Sequence, residues 1–267
     1  MECPICSNHN IKIEDSVLNI YKCDECKHPF TVIPKEKQEK YYDEYFENTK
    51  WVNAPYHKFY DYIHSKIPKG NLKLLDIGCG KGLFLQYVRN KNKQIELYGI
   101  DLHHNNYEGI NFIQEDIYTT NFKEKFDVIV SLGVIKHLEN PTLFMEILYN
   151  LLKNDGILII MTINSDSLLY QIAKVLKGIG WRTAYDRLHE YQHLNHFTRK
   201  SLKKLLDNRF KFLESINHNY SFEAIDVPNN NFLYKLIVIN IYSMSSLLNK
   251  QILQTVVYKK RIHKGYQ

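Results

Sequence analysis

No run of this sequence is both apolar enough and long enough to cross a bilayer. The longest candidate, FLYKLIVINIYSMSSLL (232–248), is broken by Lys235, Asn240 and three serines, and a spanning helix needs about 20 apolar residues. No secretory leader is expected either, because the opening MECPICSNHN is polar and carries cysteines. There are no internal repeats. The 35 Lys and Arg, set against 29 Asp and Glu for a net charge of +6, are dispersed rather than gathered into a basic stripe with interleaved aromatics. A nucleic-acid partner is therefore not demanded. These absences predict a cytoplasmic protein. The 267 residues, 44% apolar and 24% charged, suffice for one large domain with a small appendage.

Cysteine is scarce but concentrated. Four of the five are Cys3, Cys6, Cys23 and Cys26, arranged as C-x2-C, sixteen residues, C-x2-C. Two thiolates from each tight turn can complete a tetrahedron around Zn²⁺, whose binding energy folds a module too small to build its own core. A disulfide pair is the competing reading, and a reducing cytosol argues against it. His9 and His28 lie nearby and could replace a ligand, but four thiols make that unnecessary. With every position filled by cysteine no coordination site is open for chemistry, so the expected zinc is structural and marks residues 1–33 as a zinc-ribbon module. The fifth cysteine, Cys79, has no base beside it in sequence and reads as a small residue tolerated in a tight loop.

Residues 34–68 are polar with an aromatic stripe and predict a helical linker or cap. Residues 69–267 then alternate strands and helices. Strands are expected at 72–76, 95–101, 110–114, 126–131, 157–163, 210–216 and 252–260, with helices at 82–90, 141–153 and 199–206. That alternation predicts an α/β, doubly wound, mostly parallel seven-stranded sheet. Between the second and third of these strands LHHNNYEG is too short for a crossover helix and predicts a loop. Two segments interrupt the order, 164–197 and 218–250. Insertions of this kind cap binding sites.

The stretch LLDIGCGKG (74–82) drives a buried strand into Asp76 and then gives up side chains at Gly78, Gly80 and Gly82. A strand, a bare turn and a helix start form a place where ligands sit. Asp101 follows about twenty residues later, where a carboxylate grips ribose hydroxyls, and Asp116 ends the next strand. A dinucleotide fingerprint would want glycine at 83, where this chain has Leu83, and the carboxylate of Asp76 would repel a pyrophosphate. A nucleoside with a cationic tail fits better than NAD.

LLDIGCGKG, YGIDL, NFIQEDIY and FDVIVSLGVIKHLENPTLFMEILYNLLKNDGILII resemble, in order and spacing, the motifs of class I S-adenosylmethionine-dependent methyltransferases. The resemblance covers 72–163 closely and the remainder more weakly. CPIC…CDECKHPF…YYDEYF and GW…HLNHFTRKSLKKLL are similar to a bacterial subgroup that carries an N-terminal zinc module and is associated with cell-surface glycan or small-molecule biosynthesis. The resemblance implies a Rossmann-like sheet and S-adenosylmethionine as cofactor. It implies that Asp76 holds the methionine amino group and that Gly78, Gly80 and Gly82 let the backbone approach the ligand. It further gives Asp101 to the ribose, Asp116 and the Ile117 N–H to adenine, and Leu102 and Leu132 to the faces of the base. The acceptor it implies is a small molecule: a nucleotide-linked sugar or capsule precursor, or its phosphate or phosphoramidate group.

Methyl transfer to a protonated acceptor needs a base. His137, in VIKHL after the fourth of these strands, is the first candidate, with His193 and His196 of HLNHF as alternatives and His189 and Tyr191 close by. Related O-methyltransferases with a metal site place acids where this chain has Gly133 and Lys136, so metal-assisted transfer is not expected here; Lys136 could instead attract an anionic acceptor. An RNA methyltransferase and a non-catalytic, cofactor-binding partner subunit are the rival readings, and a homo-oligomer is compatible with the sequence.

Overall fold

The computed structural model describes residues 1–33, 57–221, 224–225 and 227–261. Most of the expected 34–68 linker therefore lies outside the described residues, and its last part forms helix α1 (His57–Ser65).

Residues 1–33 hold a three-stranded antiparallel sheet of β1 (Ile11–Asp15), β2 (Ile20–Cys23) and β3 (Pro29–Thr31). The main sheet contains β4 (Lys73–Ile77), β5 (Glu96–Asp101), β6 (Ile110–Gln114), β7 (Phe126–Leu132), β8 (Leu152–Ile163), β9 (Phe210–His218) and β10 (Leu253–Lys260). Their order is β6-β5-β4-β7-β8-β10-β9. The first five run parallel, and β10 runs antiparallel to both neighbours. All seven expected strands are present. β9 consequently points the same way as the parallel strands, and its last residue, His218, arrives at their carboxyl edge.

Both faces of the sheet are apolar, as a parallel sheet requires. On one face Leu74, Val130 and Ile159 pack against α1 and α2 (Leu83–Lys91) through Ile63, Phe84, Leu85 and Val88. On the other, Leu75, Ile129 and Ile160 meet α3 (Pro141–Leu151) and α6 (Arg199–Leu206) through Phe144, Leu148, Leu202 and Leu206. The helix starts follow their caps. Asn140 Oδ1 accepts the Leu143 N–H at 2.9 Å ahead of Pro141, and Thr198 with Ser201 forms a capping box. β8 begins earlier than its apolar run suggests, because Leu152 pairs with Phe126 before a register shift brings Ile157 opposite Val128. That shift ends α3 at Leu151 rather than at 153.

The 164–197 segment folds into α4 (Leu168–Gly178), α5 (Thr183–Leu188) and an extended stretch, while 218–250 supplies α7 (Phe232–Leu247). Among the described residues no helix is long and apolar enough to cross a membrane. The loop joining β5 to β6 contains no helix, as its length predicts.

The N-terminal sheet is not a loose appendage. Its β3 bridges to the extended stretch: Phe30 pairs with Asn195, the Thr31 N–H donates to the Leu194 carbonyl at 2.9 Å, and the His196 N–H donates to the Pro29 carbonyl at 3.1 Å. Asp15, buried at the end of β1, takes ion pairs from Lys177 at 2.5 Å and Arg182 at 3.0 Å. Burial alone would raise this carboxyl; the two cations hold it down to about 2.

Candidate active site

One cavity of about 640 Å³ opens along the carboxyl edge of the parallel strands, where open α/β sheets bind ligands. Asp76, the fourth residue of β4, lines it with only 2% of its surface exposed. Its Oδ1 has no hydrogen-bond partner. Burial, with the charge of Asp101 nearby, pushes this carboxyl well above the ordinary carboxylate range. A buried acid without a donor is costly unless a cation meets it.

The turn after β4 is shaped by two glycines. Gly78 sits at φ +68°, and a Cβ there would come within 2.2 Å of Val134 Cγ2. Gly80 sits at φ +51° with open space where a side chain would be. Its N–H donates to Asp101 Oδ2 at 2.8 Å, while the Ile100 carbonyl accepts the N–H of Gly78 at 2.8 Å and of Cys79 at 3.2 Å. The other oxygen of Asp101 accepts the His103 N–H at 3.1 Å. The turn and the end of β5 are thus locked together, with Asp101 facing the cavity. Leu102, Asp116, Ile117 and Leu132 also line this wall. Asp116 is exposed and caps its own turn, with Oδ1 accepting the Tyr118 N–H at 2.9 Å. Gly82 does not reach the cavity; a Cβ there would meet Phe112 at 2.8 Å. Its place is helix packing. Burial raises the Cys79 thiol and keeps it protonated, so it offers no nucleophile.

The opposite wall is made of side chains. A short 3-10 turn after β7 (Ile135–His137) presents Lys136 and His137 to the cavity, and His193 approaches from the extended stretch. The His137 and His193 rings lie 5.1 Å apart. His137 Nδ1 donates to the Gln192 carbonyl at 3.0 Å, which leaves Nε2 as its acceptor nitrogen. Burial, reinforced by Lys136, lowers His137 to about 3 and drops His193 well below the usual imidazole range. Both rings are neutral at physiological pH. Burial also lowers Lys136 to about 8, against the opposing pull of Glu190.

His196, the other histidine expected at the site, is not among the residues that line this cavity. Its ring is completely buried behind the cavity, with Nε2 2.8 Å from Thr31 Oγ1. The extended stretch alternates sides, so His193 points to the cavity and His196 to the N-terminal sheet. Sequence reasoning missed His218. This residue lines the cavity, stacks on Phe59 at 4.3 Å and sits 2.9 Å from Thr255 Oγ1 through Nε2. The signal was its position at a strand's carboxyl end, the same signal that marks Asp76 and Asp101. Tyr60, Tyr170, Tyr220 and Tyr242 complete an aromatic lining drawn from four separate segments.

Where the N-terminal module packs against the main core, beside α3, the four expected thiols converge. Cys3 Sγ lies 3.5 Å from Cys26 Sγ, Cys6 Sγ 3.6 Å from Cys23 Sγ, and all four fall within 4.8 Å of one another. The edge of a tetrahedron with ~2.3 Å zinc–sulfur bonds is about 3.8 Å. All four are free thiols, and the neighbouring Cys26 draws Cys3 down to about 5.

Known proteins agree with this architecture. The family described as "Methyltransferase domain" matches residues 36–209. Over 161 residues the chain is 28% identical to malonyl-[acyl-carrier protein] O-methyltransferase 2 of Ilyobacter polytropus, covering 55% of this chain and 59% of that protein. Over 180 residues it is 30% identical to the ubiquinone biosynthesis O-methyltransferase of Pelagibacter ubique, covering 57% and 74%. The chain therefore spans little more than half of the first relative and about three quarters of the second. The N-methyltransferase NodS from Bradyrhizobium japonicum WM9, solved with S-adenosyl-L-homocysteine, shares the fold with a TM-score of 0.53 at 12% identity, over 84% of this chain and 99% of that one. The family match takes in β4 to β8 and the glycine turn, well over half of the sequence, and on that ground this chain belongs to the methyltransferase-domain family, the S-adenosylmethionine-dependent class that its motifs resemble.

Proposed function

We propose that this protein transfers a methyl group from S-adenosylmethionine to an oxygen of a small anionic acceptor, with a structural Zn²⁺ held by Cys3, Cys6, Cys23 and Cys26. The observation that carries the reading is one cavity that has Asp76, its Oδ1 without a partner, and Asp101 on one wall and His137, His193 and Lys136 on the other. When bound, S-adenosylmethionine supplies a methyl carbon already activated by its sulfonium. Asp76 holds the cationic methionine end, and the charge it meets there favours the ionised carboxylate. Gly78 and Gly80 let the backbone approach, Asp101 accepts from the ribose hydroxyls, and Asp116 with the Ile117 N–H takes the adenine edge between Leu102 and Leu132.

On the acceptor side His137 takes the hydroxyl proton on Nε2, its tautomer fixed by Gln192, with His193 beside it. Lys136 neutralises a phosphate or similar group, and the tyrosines offer flat faces to a sugar or other ring. A nucleotide-linked sugar or surface-glycan precursor has the anionic group, the ring and the free hydroxyl that this wall suits. The alignment of acceptor and methyl carbon is what the enclosed cavity contributes to rate.

Titration calorimetry tests the cofactor half. S-adenosylmethionine should bind and NAD should not, and Asp101→Ala should weaken binding about a hundredfold, since hydrogen bonds to a charged group contribute roughly 1.5–3 kcal/mol each. Equal affinity in the variant would remove Asp101 from the site. A screen of nucleotide-linked sugars and capsule precursors for S-adenosylhomocysteine release tests the acceptor half.

A further inference from the structure

Beyond the histidine turn the cavity continues into a second lobe. In the sheet order the ends of β6, β5 and β4 carry the expected cofactor residues, β7 leads to Lys136 and His137, and β8, β10 and β9 lie past them. The far lobe is floored by Ile163, the last residue of β8, and Leu253, the first of β10, which pair in register. Both inserted segments wall it: Tyr170 from α4 and Leu188 from α5, then Tyr220 and, on α7, Tyr242. These six side chains pack as one apolar cluster, and all six line the cavity. Leu188, Tyr220 and Tyr242 are only half-buried. The unfinished side of the cluster is the cavity itself.

Two polar groups of this lobe are already committed to the protein. The Tyr170 hydroxyl donates to the Leu188 carbonyl at 2.7 Å, and His218 Nε2 sits 2.9 Å from Thr255 Oγ1. Most charged residues that line the cavity stand elsewhere. Asp76, Lys81, Asp101, Glu115 and Asp116 lie at the ends of β4, β5 and β6 or on the turns that follow. Lys136 follows β7, and Glu190 marks the border, 3.8 Å from His193 Nε2. Arg187, next to Leu188 on α5, is exposed. A polar group placed against the cluster would lose water without gaining partners, whereas an apolar group is favoured in proportion to the area it hides. Pockets of this kind fix a ligand by a few polar contacts and bind its bulk through apolar walls.

We propose that the methyl acceptor is amphiphilic, and that this lobe holds its alkyl, acyl or aryl group while the anionic group lies at Lys136 and the reacting hydroxyl at His137. The proposal rests on the methyl-transfer reading of the cavity and narrows its acceptor from small anions in general to those that carry an apolar substituent.

The test is calorimetry of the full chain with ethyl, butyl, hexyl and octyl phosphate, with and without saturating S-adenosylhomocysteine. Each added methylene should tighten binding about threefold until the lobe is filled. Lys136→Met should weaken every member by a similar factor and leave that slope intact. Val238→Asp puts a carboxylate in the lobe from α7, one helical turn before Tyr242, and should flatten the slope. If that variant fails to fold by circular dichroism, Tyr242→Ser should reduce the slope instead. Absent binding or a flat series in the wild type overturns the proposal. So does a slope that the folded variant keeps, which would put the alkyl chain on another surface. Failure of the methyl-transfer reading looks different: S-adenosylhomocysteine would not bind, while the series measured without it would still report on the lobe.

Discussion

The two ends of the cavity are built on different principles. At the glycine turn the structure is mostly main chain: the Gly78, Cys79 and Gly80 amides tie to Ile100 and Asp101, all within two adjacent strands. At the other end nothing is local. The turn bearing Lys136 and His137 is held by Asn195, whose N–H donates to the Lys136 carbonyl at 2.9 Å and whose Nδ2 donates to the Leu138 carbonyl at 2.7 Å. Asn195 is fixed in its turn by His28, with Nε2 3.1 Å from Asn195 Oδ1 and Nδ1 3.1 Å from Ser201 Oγ. His28 lies two residues after Cys26. The cofactor end supports itself, whereas the acceptor end is scaffolded from the cysteine module. The lesson is that a small cysteine module can brace one side of a cavity, through His28 and Asn195, and leave the other side to its own strands.

That contrast can be broken or sharpened by experiment. The largest effect belongs to His137→Gln, which should lower kcat on the order of a hundredfold while cofactor affinity stays unchanged; a fall confined to cofactor affinity would move the histidine to the wrong end. Next comes stripping the metal with a chelator, or Cys23→Ser. Acceptor KM should rise about tenfold as the support behind Asn195 loosens, a change of about 1.4 kcal/mol, with S-adenosylmethionine binding unaltered by calorimetry. Parallel losses at both ends would abolish the distinction. The smallest effect is a pH dependence. Lys136, lowered to about 8, is charged below that value and neutral above it. Affinity for an anionic acceptor should therefore weaken severalfold as pH rises through about 8, and Lys136→Met should flatten the profile. His137, lowered to about 3, contributes no limb between pH 5 and 8.

The same division explains what could be read from the sequence. β4, its glycine turn and Asp101 are contiguous, and the apolar-to-carboxylate-to-glycine pattern reports geometry that neighbouring residues enforce on one another. The strands were legible because the central parts of β7 and β8, 128–130 and 157–161, are largely buried and leave short apolar runs. The acceptor wall is assembled from α1, the β7 turn, the extended stretch, β9 and α7. No local period records that Tyr60, His218 and Tyr242 meet. His196 shows the same limit: three residues from His193 along an extended chain, it belongs to a different interface, and only the bridge to β3 decides which ring faces the ligand.

The placement of β10 also bears on how the chain reaches its native state. β9 touches the main sheet only through β10, which follows it in sequence by more than thirty residues and wedges between it and β8. During synthesis β4 to β8 can zip together as they leave the ribosome, but β9 has no edge to join until β10 emerges. The late step closes a long loop, and such closures are slow. Until then β8 stands as an open, apolar edge, and this is the interval in which a nascent copy is most exposed to pairing with the wrong strand.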